Sequence, residues 1–384
     1  MEIIPFSRPT IGAKEGREVL ATLKSGWLTS GQKVAIFQRE LSRYLECRFV
    51  RVLDSCTSAL ELAVKGAGIK KGDEVITTPL TFCATINAII HSGARPIFAD
   101  IDINTLNINP IEINKRITKK TKAIMVMHYG GQPCEMDSII KIARRNKLAI
   151  IADAAHAIGA SYDRKMVGNI SDITCFSFHA AKNITTGEGG AITTNNKKII
   201  DFINKAYYHG IDKESWHRES KASWKYNVTY AGYKHNMSDI HASLGIQQLK
   251  KIRSFIVKRK RIAAFYDSIF KQEELVSTQK IGPKMVHAHH LYPAMLDIDN
   301  ISIGRDAFIE KLKMKSIIPS VHFIPIYKHS AFKNFFTKAA IAQLPKTEYA
   351  YQRIITLPIY PTLGQSSLNH IARVMKSLLR KYQR

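Results

Sequence analysis

The stretch CFSFHAAKNITTGEGGAITT, residues 175–194, holds a single lysine, Lys182, set between an apolar run ending in Ser177-Phe178-His179 and a turn rich in glycine at Gly187, Gly189 and Gly190. Two β-type runs with a polar, glycine-rich turn between them predict two strands and place the cation in the connection. Outward from this stretch the same alternation continues. DEVITTP (73–79), RPIFAD (95–100), KAIMVMH (122–128), LAIIADA (148–154), DITCFSF (172–178) and GAITT (190–194) read as short strands. Residues 57–67, 81–92, 135–146 and 197–208 have helical composition. Strands alternating with helices predict an α/β fold with a mostly parallel sheet covered on both faces. Functional residues of such sheets gather at the carboxyl ends of the strands.

From about residue 255 the pattern changes to helices mixed with a few strand-like runs, HHLYPAML (289–296) and SVHFIPIY (320–327). The change predicts a large domain over 1–250 and a smaller α+β domain over 251–384, joined after a long helix and packed with the first 25 or so residues. A chain of 384 residues, 45% of them apolar, can bury a core of that size. The amino terminus MEIIPFSRP lacks the charged-then-apolar layout of an export signal, and no apolar run reaches the roughly 18–20 residues of a membrane span. A cytoplasmic location without membrane insertion is expected.

The formal charge of +26 raises nucleic acid, an anionic membrane surface or an acidic small substrate as partners. The basic residues are spread through 70–74, 114–122, 250–261, 310–316 and the carboxyl-terminal tail. Residues 250–261 read as the outer face of a helix, with Ile252, Phe255, Ile256 and Ile262 at helical spacing. With no zinc-finger pattern and no RNA-binding aromatic motif, the charge reads as a basic solvated surface rather than a nucleic-acid site. The five cysteines are scattered without a close pair, and the fourteen histidines form no H-E-x-x-H cluster. Neither a disulfide framework nor a metal site is expected.

Chemistry enters with Asp153, which closes the run LAIIAD and would project from a strand end. A buried carboxylate there costs free energy unless it is paired. Lys182 follows another strand, so the two can meet in one crevice. A buried lysine can hold a lowered pKa and attack a carbonyl, and a carboxylate can keep a pyridine nitrogen protonated. The pair describes a pyridoxal phosphate site; a salt-bridged core pair is the alternative. In LDSCTSAL (53–60), the hydroxyls of Ser55, Thr57 and Ser58 sit where an apolar helix begins, suited to a phosphate or simply to a helix cap. Phe82 follows a strand and could stack on a flat ring or belong to the core.

The combination of SCTSAL, TPLTFCAT, ADAAHAIGA (152–160), SFHAAKNITTGEGG and GYKHNMSDIHASLGIQQL (232–249) resembles the DegT/DnrJ/EryC1/StrS sugar-nucleotide aminotransferases over essentially the whole chain. The resemblance implies the fold type I architecture of pyridoxal-phosphate-dependent transferases and a pyridoxal 5'-phosphate cofactor. Lys182 matches the family's lysine that bonds the cofactor, and Asp153 the carboxylate that pairs with its pyridine nitrogen. Phe82 matches the stacking aromatic. Thr57, Ser58 and Ser177 match the phosphate-holding residues, and His156 a polar position beside the ring. The segment 232–239 resembles a loop delivered across a homodimer interface into the neighbour's site. Many members carry asparagine and arginine where this chain has Lys234 and Asn236.

The resemblance implies L-glutamate as amino donor and a nucleotide-linked 4-keto sugar as acceptor, for lipid A, lipopolysaccharide or another surface glycan. SFHAAKNIT and GYKHN are similar to the branch that makes 4-amino-4-deoxy-L-arabinose nucleotides, implying a UDP-linked 4-keto pentose or 4-keto-6-deoxy hexosamine. A dTDP- or GDP-linked sugar is the alternative. GWLTSG (26–31), HAHHLYPA (287–294) and SVHFIPIY lie where members frame the substrate, making Trp27, Thr29, His290 and His322 candidate contacts. Relatives that dehydrate a deoxysugar carry histidine in place of the lysine, and Lys182 argues against that activity. A non-catalytic regulatory member of the fold is the remaining reading.

Overall fold

The computed structural model describes residues 2–212, 224–333 and 335–384. The strands of its main part are β1 (Phe49–Leu53), β2 (Glu74–Thr77), β3 (Arg95–Phe98), β4 (Thr121–Met127), β5 (Ala149–Asp153), the short β6 (Ser161–Tyr162) and β7 (Lys165–Met166), β8 (Ile173–Ser177) and β9 (Gly190–Thr194). The central sheet runs β1-β9-β8-β5-β4-β2-β3. Strands β8, β5, β4, β2 and β3 pair in parallel, and β9 runs against both β8 and β1. Parallel neighbours need crossover connections, which helices supply between β2, β3, β4 and β5. The helices of this part are α1 (Ala13–Lys24), α2 (Gln32–Leu45), α3 (Cys56–Gly66), α4 (Cys83–His91), α5 (Pro110–Lys115), α6 (Met136–Asn146), α7 (Lys197–Ala206) and α8 (Asp239–Leu249).

Side chains of a strand alternate between its faces, and the buried sheet uses both. Ala123, Met125, Ile151, Ile173, Cys175 and Ile192 pack in one core with α3, α4 and α7. Ile124, Val126, Ile150 and Ala152 pack on the other face with Ile139 and Ala143 of α6, while Phe176 and Ala191 meet α2 and α8. Each such fully buried aliphatic or aromatic side chain contributes roughly 1.5–3 kcal/mol. The same parity puts the last residues of β4, β5 and β8, namely Met127, Asp153 and Ser177, on the α3/α4 side. Alternation along the strands therefore aims the carboxylate toward those two helices.

Helix α9 (Ile252–Phe270) leaves the α2/α8 core with Ile252 and Phe255 and enters a second core with Ile262, Ala263, Tyr266 and Phe270. That core packs an antiparallel sheet ordered β10 (Val276–Thr278), β12 (Tyr292–Leu296) and β13 (Ile354–Leu357). The intervening β11 (Met285–Val286) pairs with β6. Ile4 is buried in this second core, and its N–H donates to the Ser316 carbonyl at 2.8 Å. Helix α1 instead lies on α8, where Gln247 and Gln248 donate to Glu18 and Glu15 at 2.8 and 2.9 Å.

Two expectations need correction. SVHFIPIY is not a strand: only Ser320 bridges Thr356, and Ile326–Lys328 form a single 3-10 turn. Pro325 supplies no N–H for a ladder, and the N–H of Ile326 donates to the Pro79 carbonyl at 3.1 Å. In HHLYPAML the strand begins only at Tyr292, because His289 sits at φ 46°, outside the extended region. No described helix is long and apolar enough to cross a membrane.

Candidate active site

A cavity of about 380 Å³ opens at the carboxyl ends of β4, β5 and β8. Met127, Asp153 and Ser177 line it together with Ser55, Cys56 and Thr57 at the start of α3. The turn after β8 contributes His179, Ala181 and Lys182. His156, His290, His322 and Phe323 close another side, and Phe82 stands at the rim, 57% exposed.

Asp153 is 3% exposed and has a donor on each carboxylate oxygen. Its Oδ2 accepts from the Thr85 hydroxyl at 2.7 Å and its Oδ1 from the Ala155 N–H at 3.0 Å. Thr81 Oγ1, just before the start of α4, lies 2.7 Å from Thr85 Oγ1. Burial raises the carboxyl pKa, and the two hydrogen bonds and the charge of Lys182 act against it. Burial lowers the pKa of Lys182, with Asp153 opposing. An amine moved toward its neutral form is a nucleophile and a base.

At the start of α3, Ser55 is the cap: its Oγ accepts the Ser58 N–H at 3.1 Å and lies 2.9 Å from the Ser58 hydroxyl. Ser58 is buried within this cap and does not line the cavity, whereas Thr57 is exposed in its wall. The free N–H groups of a first helical turn favour an anion. Strand β9 closes tightly behind them. A Cβ at Gly190 would stand 2.4 Å from the Ser55 carbonyl oxygen, and one at Gly189 2.2 Å from Thr186 Oγ1.

The histidine wall is neutral. The rings of His156 and His290 lie 4.4 Å apart, and Phe323 stacks on His156 at 5.8 Å and 16°. Burial holds His156 and His290 well below the ordinary imidazole value and lowers His322 to about 3. His290 Nδ1 lies 3.2 Å from Asn183 Oδ1, Asn183 donates to the Ala288 carbonyl at 3.0 Å, and His322 Nδ1 lies 3.0 Å from Thr356 Oγ1. The buried Nδ1 of His156 has no hydrogen-bond partner among the described residues. A buried polar atom left open beside a cavity calls for a ligand.

Trp27, Thr29, Lys234 and Asn236 do not line this cavity. The Thr29 carbonyl accepts the Asp239 N–H at 3.1 Å, Asn236 Nδ2 donates to Ser30 Oγ at 2.7 Å, and Lys234 donates to Asn236 Oδ1. Trp27 Nε1 donates to the Ser30 carbonyl at 3.2 Å. The sequence reading missed Thr85, Asn183 and Phe323. Thr81 and Thr85, four apart in an otherwise apolar segment, were a usable signal; for Asn183, adjacency to Lys182 was the available hint.

These residues fit pyridoxal phosphate: a carboxylate for a ring nitrogen, an anion seat at a helix start, an aromatic rim and an unfilled imidazole acceptor or donor. A lysine and a strand-end carboxylate in one cavity, on a sheet in this order, define the class of fold type I pyridoxal-phosphate enzymes. The chain belongs to the DegT/DnrJ/EryC1/StrS aminotransferase family, whose model matches residues 9–378. It is 41% identical over 379 residues to the spore coat polysaccharide biosynthesis protein SpsC of Bacillus subtilis, covering 98% of this chain and 97% of that protein. A putative sugar aminotransferase of Streptococcus pneumoniae in its PMP form superposes with TM-score 0.92 at 32% identity, covering 98% and 99% of the two chains. PseC of Helicobacter pylori, an aminotransferase in pseudoaminic acid biosynthesis, gives TM-score 0.92 at 30% identity over 99% and 100%. The protein is a pyridoxal-phosphate-dependent sugar aminotransferase.

Proposed function

We propose that the enzyme moves the amino group of L-glutamate to the keto carbon of a nucleotide-linked 4-keto sugar, UDP-linked, in surface glycan synthesis. The observation that carries the reading is the shared cavity of Lys182 and Asp153, with burial moving Lys182 toward its neutral form and two donors on the Asp153 carboxylate. The relatives' roles in spore coat polysaccharide and pseudoaminic acid synthesis support a sugar acceptor. Asp153 would face the ring nitrogen, the α3 start with Thr57 and Ser177 the phosphate, and Phe82 the ring. Pyridoxal phosphate, when bound, supplies the electron sink and carries the amine between the two substrates. Lys182 Nζ, unprotonated, takes the proton from the α-carbon of the amino acid and returns one to the sugar carbon. Thr85 and Ala155 hold the Asp153 carboxylate in place while this happens. The histidine wall stays uncharged, presenting imidazole nitrogens to the sugar without drawing water to the site. A homodimer in which 232–239 completes the partner's site is supported by Lys234 and Asn236 lying outside their own cavity.

The test is amino transfer from isotope-labelled glutamate to a panel of UDP-, dTDP- and GDP-linked 4-keto sugars, read by mass. Label on a UDP-linked sugar supports the reading. Label confined to the dTDP- or GDP-linked sugars would contradict the UDP assignment.

A further inference from the structure

Outside the cavity, the segment carrying Lys234 and Asn236 meets the α3 region through His235. One ring nitrogen, Nδ1, lies 3.6 Å from Asp54 Oδ2, and the other, Nε2, lies 3.9 Å from Glu61 Oε2. A single imidazole thus stands between two carboxylates. The backbone is stitched at the same place: the Asp54 N–H donates to the His235 carbonyl at 3.0 Å, the His235 N–H to the Tyr207 carbonyl at 2.9 Å, and Leu53 bridges Asn236. Tyr233 stacks on the imidazole at 5.1 Å and 8°.

Among the described residues, the neighbouring charged and titratable groups have partners of their own. Glu61 Oε1 lies 2.8 Å from His91 Nδ1, and Lys65 sits over the Tyr233 ring at 5.4 Å. Lys234 sits over Tyr208 and Arg51 over Tyr207, at 4.7 and 4.4 Å. The buried Nε2 of His235 makes no hydrogen bond among the described residues, and its 3.9 Å to Glu61 is too long for one but within ion-pair reach. Asp54 immediately precedes Ser55, the cap of α3, so whatever Asp54 holds is tied to the anion seat.

We propose that His235 is a positioning residue that acts as a clamp. Its imidazole, with one ring nitrogen toward Asp54 and the other toward Glu61, fixes the 233–236 segment against the start of α3 and so sets how firmly the cofactor's phosphate is held. The inference rests on the functional reading above, in which α3 seats that phosphate. Two ring nitrogens on opposite edges let one side chain face both carboxylates, which a phenyl ring of similar outline does not do.

The experiment is titration of the apoprotein with pyridoxal phosphate, with the absorbance band of the bound cofactor as the readout. Wild type is compared with His235→Phe, which keeps the stacking on Tyr233, with His235→Gln, which keeps a polar side chain between the carboxylates, and with Glu61→Gln, a milder change; thermal melting checks the fold of each. His235→Phe is expected to bind about three- to tenfold more weakly than wild type, with the KM for glutamate at saturating cofactor unchanged and part of the loss restored in His235→Gln. Glu61→Gln should shift in the same direction by less. A His235→Phe affinity equal to that of wild type, or Glu61→Gln matching wild type should His235→Phe fail to fold, would overturn the clamp alone. A wild type that binds no pyridoxal phosphate would overturn the functional reading, and the clamp with it.

Discussion

Lys182 and Asp153 are each placed by a single structural fact. Strand parity aims Asp153 toward α4, where Thr85 holds it, and the turn after β8 lays Lys182 into the same cavity. Lys182→Ala is expected to abolish turnover in a steady-state assay; retained activity would remove the lysine from the mechanism. Thr85→Val leaves one carboxylate oxygen without its donor in a buried place, and a loss of about 1–2 kcal/mol, or about tenfold in kcat/KM, is expected. Because burial lowers the Lys182 pKa, the amine is free over a wider pH range than an exposed lysine, and the rate should fall as acidification protonates it. A pH–rate profile for kcat checks the sign. Both residues were legible in the sequence as strand-end polar groups. Ser58 was legible only as one of several hydroxyls, and the choice among them depended on which one the cap consumes.

At the scale of elements, the strands 190–194 and 122–128 were readable because a buried sheet needs continuous apolar runs, and the helices at 57–67, 81–92, 135–146 and 197–208 because they alternate with such runs. Strand β1 and helices α1 and α2 were not singled out, since FVRVL carries an arginine and both helices carry mixed charged faces. SVHFIPIY misled because its β-branched composition outweighed its proline. Two element-level contacts were invisible from sequence. Gly190 lets β9 approach the α3 cap, so Gly190→Ala should displace the cap and weaken pyridoxal phosphate binding at least about tenfold in a fluorescence titration. Arg259, buried in the middle of α9, donates to the His289, His290 and Ile359 carbonyls at 3.3, 3.3 and 2.9 Å, joining the helix to the segment that bears His290. Arg259→Ala leaves those acceptors unpaired and should lower stability by about 3 kcal/mol in denaturant unfolding.

For the whole molecule, buried histidine dominates the acid response. His128, His156, His287, His289, His290 and His322 are all shifted below the ordinary value of 6.5 by burial, His128 and His289 to about 4 and His322 to about 3. With folded values below unfolded ones, the unfolded chain binds more protons once pH drops under about 6.5. Each such group then costs about 1.4 kcal/mol of stability per pH unit until its folded value is reached. The melting temperature of the apoprotein should fall steeply between pH 6.5 and about 4, and a flat profile would mean these imidazoles are not buried as described. Charge told less than composition suggested: the +26 surplus is spread over the surface, and the chemistry sits in a cavity with one lysine. The most direct test of the account is borohydride reduction of the pyridoxal-phosphate-loaded enzyme followed by peptide mapping. A stable pyridoxyl adduct on Lys182, absent when glutamate is added first, is the predicted result; an adduct on another lysine, or none at all, would contradict it.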